Sequence, residues 1–167
     1  MKVEPGLVPP PVALPLPREV RLFGRPVPRA AAAERIAWAV VSAGALLVLF
    51  LALRLAPDPR GVGTHEQLGL PACGLVASFG YPCPSCGFTT TFALAAHGRP
   101  LDALANQPFG LLLFVATVLV VPVGIVGVFK GVSWLLLMDR LPLGRIVAVT
   151  FVLWALSWGY KCWIVLR

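Results

Sequence analysis

Three long blocks of apolar residues constrain this chain more than any other feature of its sequence. They run from Ile36 to Leu53, from Pro108 to Phe129 and from Ile146 to Leu166, and the only charged residue inside them is Lys161. A helix needs about 20 apolar residues to cross the hydrocarbon core of a bilayer, and each block approaches that length. The sequence therefore predicts an all-α integral membrane protein with about three transmembrane helices, near residues 36–56, 108–130 and 146–166.

The first 30 residues differ sharply from the rest of the chain. They hold eight of its 17 prolines, and proline at that density favours extended chain and opposes a packed core. Residues 1–30 are therefore predicted to be a disordered tail, with a PxxP-type docking segment as the alternative, and residues 31–167 to be the membrane domain. Because the first apolar block begins only at Ile36, it reads as a retained signal anchor.

The basic residues indicate which partners to expect. The formal net charge is +7, but the basic residues are scattered and mostly flank the apolar blocks, where they meet lipid headgroups. This pattern excludes a nucleic-acid partner and indicates the lipid bilayer, with other membrane proteins or self-association left open. With three spanning helices, nine basic residues lie on the same side of the membrane as the N-terminus and five lie on the opposite side. Since the cytoplasmic side carries the excess of basic residues, we predict a multi-pass protein of the cell membrane with a cytoplasmic N-terminus.

The segment between the first two blocks, residues 61–107, cannot form one regular spanning helix. It carries prolines and glycines throughout, and irregular backbone at membrane depth persists only when it is buried in protein or faces water. We expect a re-entrant or interfacial loop over residues 68–83 and a short helix from Pro84 to the Gly98 cap. A second short helix is expected over residues 101–105.

The same segment carries the chemistry of the chain. Cys83 and Cys86 form a C-x-x-C pair, and Cys73 lies ten residues before it. Thiolates at this spacing can share a metal ion, and a structural zinc site takes four ligands. The candidate metal ligands are Cys73, Cys83, Cys86 and His65, for zinc or a similar ion. A disulfide among the three cysteines is the alternative, and thiol exchange is less favoured because no thioredoxin-like βαβ pattern surrounds the pair.

Polar residues within the apolar segments lead to three further predictions. Lys161 is expected to snorkel outward to the membrane surface, with a functional intramembrane cation as the alternative. Thr89, Thr90 and Thr91 are expected to bond back to the preceding helical turn. No carboxylate dyad or Ser-His pair lies near them, so the sequence favours a protein that is not an enzyme while leaving an enzymatic role open.

Several short runs resemble one known family. They extend from Gly63 to Cys73 and from Gly80 to Thr89, and they are followed by His97 and Gly98. Together they resemble the bacterial membrane-protein family called domain of unknown function 2752, which is marked by a C-P-x-C-G-x-T-R core. The resemblance covers about residues 60–110 and implies a small multi-helix membrane protein, without implying an activity. Thr90 replaces the Arg of that core, and Asn106-Gln107-Pro108 replaces a contiguous Asn-Pro pair.

These observations predict a small multi-pass membrane protein with an accessory or scaffold role. Its Cys loop would be structural and would lie on the non-cytoplasmic face, where disulfides persist. The alternative is a metal-binding or thiol-redox membrane protein that uses the C-x-x-C segment. A transport role is less favoured, because three helices are few and no intramembrane carboxylate marks a pathway.

Overall fold

The computed structural model describes residues 19–139 and 141–166, apart from the side chains at 77 and 137. Its two strands are β1 (Glu19–Leu22) and β2 (Arg25–Pro28). Its helices are α1 (Ala32–Arg54), α2 (Gly74–Phe79), α3 (Phe88–Ala96), α4 (Pro100–Asn106), α5 (Pro108–Lys130), α6 (Trp134–Met138) and α7 (Leu143–Val165). Three of these, α1, α5 and α7, are long and apolar enough to cross a membrane. The predicted fold class, an all-α membrane protein with about three spanning helices, is confirmed.

Helices α1 and α5 form the central pair and run antiparallel. At one end of the pair, Arg35 Nε donates to Val128 O at 2.8 Å, which joins the start of α1 to the end of α5. Further along, Ser42 faces Gly124 so closely that an added Cβ on the glycine would overlap the Ser42 hydroxyl. Small residues at such a crossing let two helices approach and gain van der Waals contact where lipid provides no hydrophobic driving force.

One end of the bundle carries a β-hairpin in which Val20 pairs with Val27. The turn residues Phe23 and Gly24 both have positive φ, 49° and 77°, as a tight hairpin turn requires. This differs from the disordered tail predicted for residues 1–30, because turn geometry and alternating apolar residues outweigh the proline content over 19–28. Residues 1–18 of that predicted tail lie outside the described residues.

The hairpin is attached to the segment that follows α5. Ala30 N donates to Gly131 O at 2.8 Å, and Ser133 N donates to Pro28 O at 2.9 Å. Helix α7 begins near this same end, and the side chains of residues 141–153 are exposed. Exposed apolar residues on a helix able to span a membrane are expected to contact lipid.

The opposite end of the bundle is formed by residues 55–107, which we call the Cys loop region. A short 3₁₀ helix spans Thr64–Leu68, and helices α2, α3 and α4 follow it. The helix predicted from Pro84 instead begins at Phe88, because Cys83 to Cys86 form a turn and Gly87 adopts a φ of 90°. Helix α3 then ends before Gly98, as predicted, and part of the predicted loop over 68–83 is helix α2.

Candidate functional site

Three thiols converge at the start of α3. The Sγ atoms of Cys73, Cys83 and Cys86 all lie within 4.8 Å of one another, and we call this group the thiol cluster. Cys73 immediately precedes α2, whereas Cys83 and Cys86 belong to the turn before α3. The Cys83 thiol donates to Cys86 Sγ at 3.0 Å, and the Cys86 thiol donates to Cys73 Sγ at 3.3 Å. All three cysteines are free thiols.

The thiols of the cluster have different acidities. Cys73 directly precedes α2, and the backbone amide of Val76 in the first turn of that helix is the main group that lowers the pKa of Cys73 to about 6. Burial is the main cause that raises the pKa of Cys86, and its thiol neighbours add to that effect. The cluster therefore pairs a thiol that ionises near neutral pH with one that stays protonated.

The thiol cluster lines a cavity of about 490 Å³. Its rim includes Arg60, whose guanidinium donates to Asp58 at 2.7 Å and to Glu66 at 2.9 Å. The hydrogen bond from the Arg60 side chain lowers the pKa of Asp58. Since Arg60 is largely exposed, we expect these ion pairs to shape the rim and to contribute little to stability.

His65 also lines this cavity, but its ring lies outside the group of converging thiols. Its Nε2 lies 3.2 Å from Pro71 O. The structure thus brings together three of the four predicted ligands, and a ligand role for His65 stays a prediction. Cys162 lies half-buried on α7, outside the cluster.

Lys161 is the functional candidate for which sequence reasoning gave the wrong position. It does not snorkel outward: it is 2% exposed, and its Nζ donates to Gly61 O at 3.0 Å and to Asn106 Oδ1 at 2.7 Å. The ammonium group turns inward because these oxygens of the Cys loop region provide acceptors within reach. A charged residue within an apolar block was the available indication, since such residues commonly mark functional sites.

Polar side chains of the 3₁₀ helix, α3 and α4 form further hydrogen bonds around the cysteine turn. Asn106 Nδ2 donates to Thr91 Oγ1 at 2.9 Å and to Gly87 O at 3.2 Å, directly beside Cys86. The hydroxyls of Thr90 and Thr64 are 2.8 Å apart and buried. Contrary to expectation, Thr90 and Thr91 therefore bond to other segments of the chain, because Thr64 and Asn106 place polar atoms against α3 that would otherwise lack a partner.

The end of α7 holds the Cys loop region through three more side chains. Trp158 Nε1 donates to Pro82 O at 3.0 Å, next to Cys83, and Tyr160 OH donates to Ala105 O at 2.9 Å. Ser157 Oγ donates to Gln107 Oε1 at 3.1 Å. Trp158 thus positions the turn that carries Cys83 and Cys86.

A comparison with protein families supports the resemblance drawn from the sequence. The model of a family described as "Protein of unknown function (DUF2752)" matches residues 73–121, from the first cysteine of the cluster into α5. No curated protein and no solved structure matches the chain. The matched segment contains the whole thiol cluster and the Asn106 that supports it.

Proposed function

We propose that this chain is an accessory protein of the cell membrane whose thiol cluster holds a soft metal ion such as Zn²⁺. The ion would restrain the Cys loop region and present it on the non-cytoplasmic face, as a docking element for other membrane proteins or a second copy of the chain. The resemblance to a bacterial family supports a bacterial membrane as its setting.

The convergence of three sulfur atoms carries this proposal. Cys73 is separated from the C-x-x-C turn by α2, yet all three Sγ atoms lie within 4.8 Å of one another. Sulfur ligands bind zinc at about 2.3 Å, so sulfurs sharing one ion lie roughly 4 Å apart. A fourth donor would enter from the cavity. His65 is the candidate on this chain, once its ring leaves the Pro71 carbonyl.

The second candidate is a disulfide site. The 3.0 Å contact between Cys83 and Cys86 and the lowered pKa of Cys73 favour it. The Cys73 thiolate could attack an external disulfide and release one thiol, and a neighbouring thiol of the cluster could then displace the second, leaving the oxidised pair on this chain. A disulfide among these residues would restrain the same segment. The two candidates differ in composition, so mass distinguishes them.

Native mass spectrometry with metal analysis tests the proposal on the full chain, with and without reductant. We expect one bound ion that survives reductant, its loss in Cys86→Ser and its retention in Cys162→Ala. A mass deficit of two protons that reductant removes would favour the disulfide. Free thiols without an ion would contradict both.

The distribution of charge supports the proposed orientation. The hairpin end carries Arg21, Arg25, Arg29, Lys130 and Arg145, more basic residues than the described part of the Cys loop end. A membrane-impermeant thiol reagent should therefore label Cys83 and Cys86 of Cys162→Ala in intact, reduced cells, provided the metal is first removed. Labelling only after lysis would contradict the orientation.

A further inference from the structure

Lys161 is buried without a carboxylate partner among the residues that the structure describes. Its three nearest acceptors are neutral: Gly61 O, Asn106 Oδ1 and, at 3.4 Å, Asn106 O. Burying an ammonium group costs free energy that hydrogen bonds to neutral oxygens offset only in part, so such a group is normally paired with an anion. A buried ammonium group with only neutral acceptors would be stabilised by a negative charge nearby.

The thiol cluster is the candidate for that negative charge. An added Cβ on Gly87, the residue after Cys86, would lie 3.2 Å from Lys161 Cε and 2.9 Å from Gly61 O. The Lys161 side chain therefore runs directly behind the cysteine turn. Glycine at positions 61 and 87 leaves room for this approach, because an added Cβ would lie 3.3 Å and 3.2 Å from the Lys161 side chain. Both residues also have positive φ, 71° and 90°, which glycine adopts without strain.

A divalent metal ion would make the site electrically neutral. Three thiolates around a divalent ion leave one net negative charge, and the Lys161 ammonium group cancels it. The three cysteines line the cavity whereas Lys161 and its acceptor Gly61 do not, so the ion would enter without displacing Lys161.

We propose that Lys161 is the counter-cation of the thiol cluster, so that the site takes a divalent thiophilic ion held by Cys73, Cys83 and Cys86 in an overall neutral centre. This inference rests on the proposed function and adds to it the charge of the ion and a positioning residue on α7. The hydrogen bonds of Lys161 go to Gly61 and Asn106, which are not among the proposed ligands. It acts through its positive charge and through the hydrogen bonds that fix Gly61 and Asn106.

The test measures Cd²⁺ binding by the full chain in detergent, using the ultraviolet absorption of cadmium thiolates and a competing chelator. Lys161→Met removes the charge, and Lys161→Gln removes the charge but keeps a hydrogen-bond donor, which serves if the Met variant does not fold. Lys161→Arg keeps the charge. Lys130→Met, at the opposite end of the bundle, is the matched control. Metal-free thermal stability is recorded for each variant.

We expect both uncharged variants to bind Cd²⁺ at least about tenfold more weakly, with Lys161→Arg within about threefold of the wild type and Lys130→Met unchanged. Wild-type protein that binds no Cd²⁺ would overturn the proposed function together with this inference. Equal affinity in wild type and the uncharged variants would overturn the inference alone. So would an Arg variant that folds but binds as weakly as Lys161→Met, or copper(I) as the ion found in the purified chain.

Discussion

The two ends of the helix bundle are held together in different ways. At the hairpin end, the contacts are mainly to backbone groups, such as Ala30 N to Gly131 O and Ser133 N to Pro28 O. At the Cys loop end, buried side chains connect segments far apart in sequence, with Lys161, Asn106 and Gln107 at the centre. Backbone pairing tolerates many sequences, whereas a buried side-chain network requires particular residues.

This difference indicates where function lies. Removing one member of a buried polar network lowers the free energy of unfolding, because its partners are left unsatisfied. Such a network beside three thiols therefore indicates a site whose geometry must be held precisely. The hairpin end needs only to anchor the start of α1 beside the end of α5. We therefore expect substitutions at the Cys loop end to cost more than those at the hairpin end.

The largest effect is expected from Asn106→Ala. It removes Asn106 Oδ1, the acceptor nearest to the Lys161 ammonium group, and the donor to Thr91 and Gly87, so that two backbone oxygens are left for the buried charge. The free energy of unfolding, measured by detergent titration, should fall by about 3 kcal/mol or more. The control is Asp102→Ala on the same helix, whose exposed ion pair with Arg99 should contribute less than about 1 kcal/mol. Similar losses in the two variants would contradict the network.

A pair of glycines gives the next largest effect. Gly87 and Gly98 both have positive φ, but an added Cβ meets Gly61 O at 2.9 Å only at Gly87, and nothing lies within 4 Å at Gly98. Gly98→Ala should cost about 1 kcal/mol from backbone strain, and Gly87→Ala about 2 kcal/mol or more because it also pushes the cysteine turn from Lys161. Equal costs would mean that the turn and α7 do not pack as closely as described.

Much of this architecture could be predicted from the sequence, and the exceptions share a physical cause. The three apolar blocks predict the spanning helices because bilayer thickness sets helix length. Cysteine spacing indicates the thiol cluster because the chain between the cysteines is short. The position of Lys161 could not be predicted, since its partners Gly61 and Asn106 lie 100 and 55 residues away. The hairpin was missed because two turn residues with positive φ decide it, and Phe23 is an unusual residue there.

Thiol reactivity should also differ within the cluster. In metal-free, reduced protein at neutral pH, iodoacetamide should modify Cys73 at least about tenfold faster than Cys86, because the Cys73 thiol is largely ionised and Cys86 is buried and protonated. As the pH falls through about 6, the thiolate at Cys73 takes up a proton and its labelling should slow. Peptide mass spectrometry over time follows each site. Equal rates at neutral pH would contradict the acidity difference.

The smallest effect is expected at the hairpin turn. Phe23 is 97% exposed and has a φ of 49°, a conformation that asparagine tolerates better than phenylalanine. Phe23→Asn should stabilise the hairpin by up to about 1 kcal/mol, seen as slower amide hydrogen exchange over residues 19–28. Gly24→Ala is the opposite control and should speed exchange, because φ is 77° there. Slower exchange in both variants would contradict the turn geometry.

The central claim, that Cys73, Cys83 and Cys86 form one unit, is tested most directly by a thermal-unfolding cycle in detergent with Zn²⁺ present. Each single Cys→Ser change should lower the unfolding temperature by a similar amount, and the triple change should be little worse than one, since any single loss removes the shared restraint. Cys162→Ala should cost less than about 1.5 kcal/mol. Losses that add across the three sites would show that the thiols act separately and do not share one ion or one disulfide.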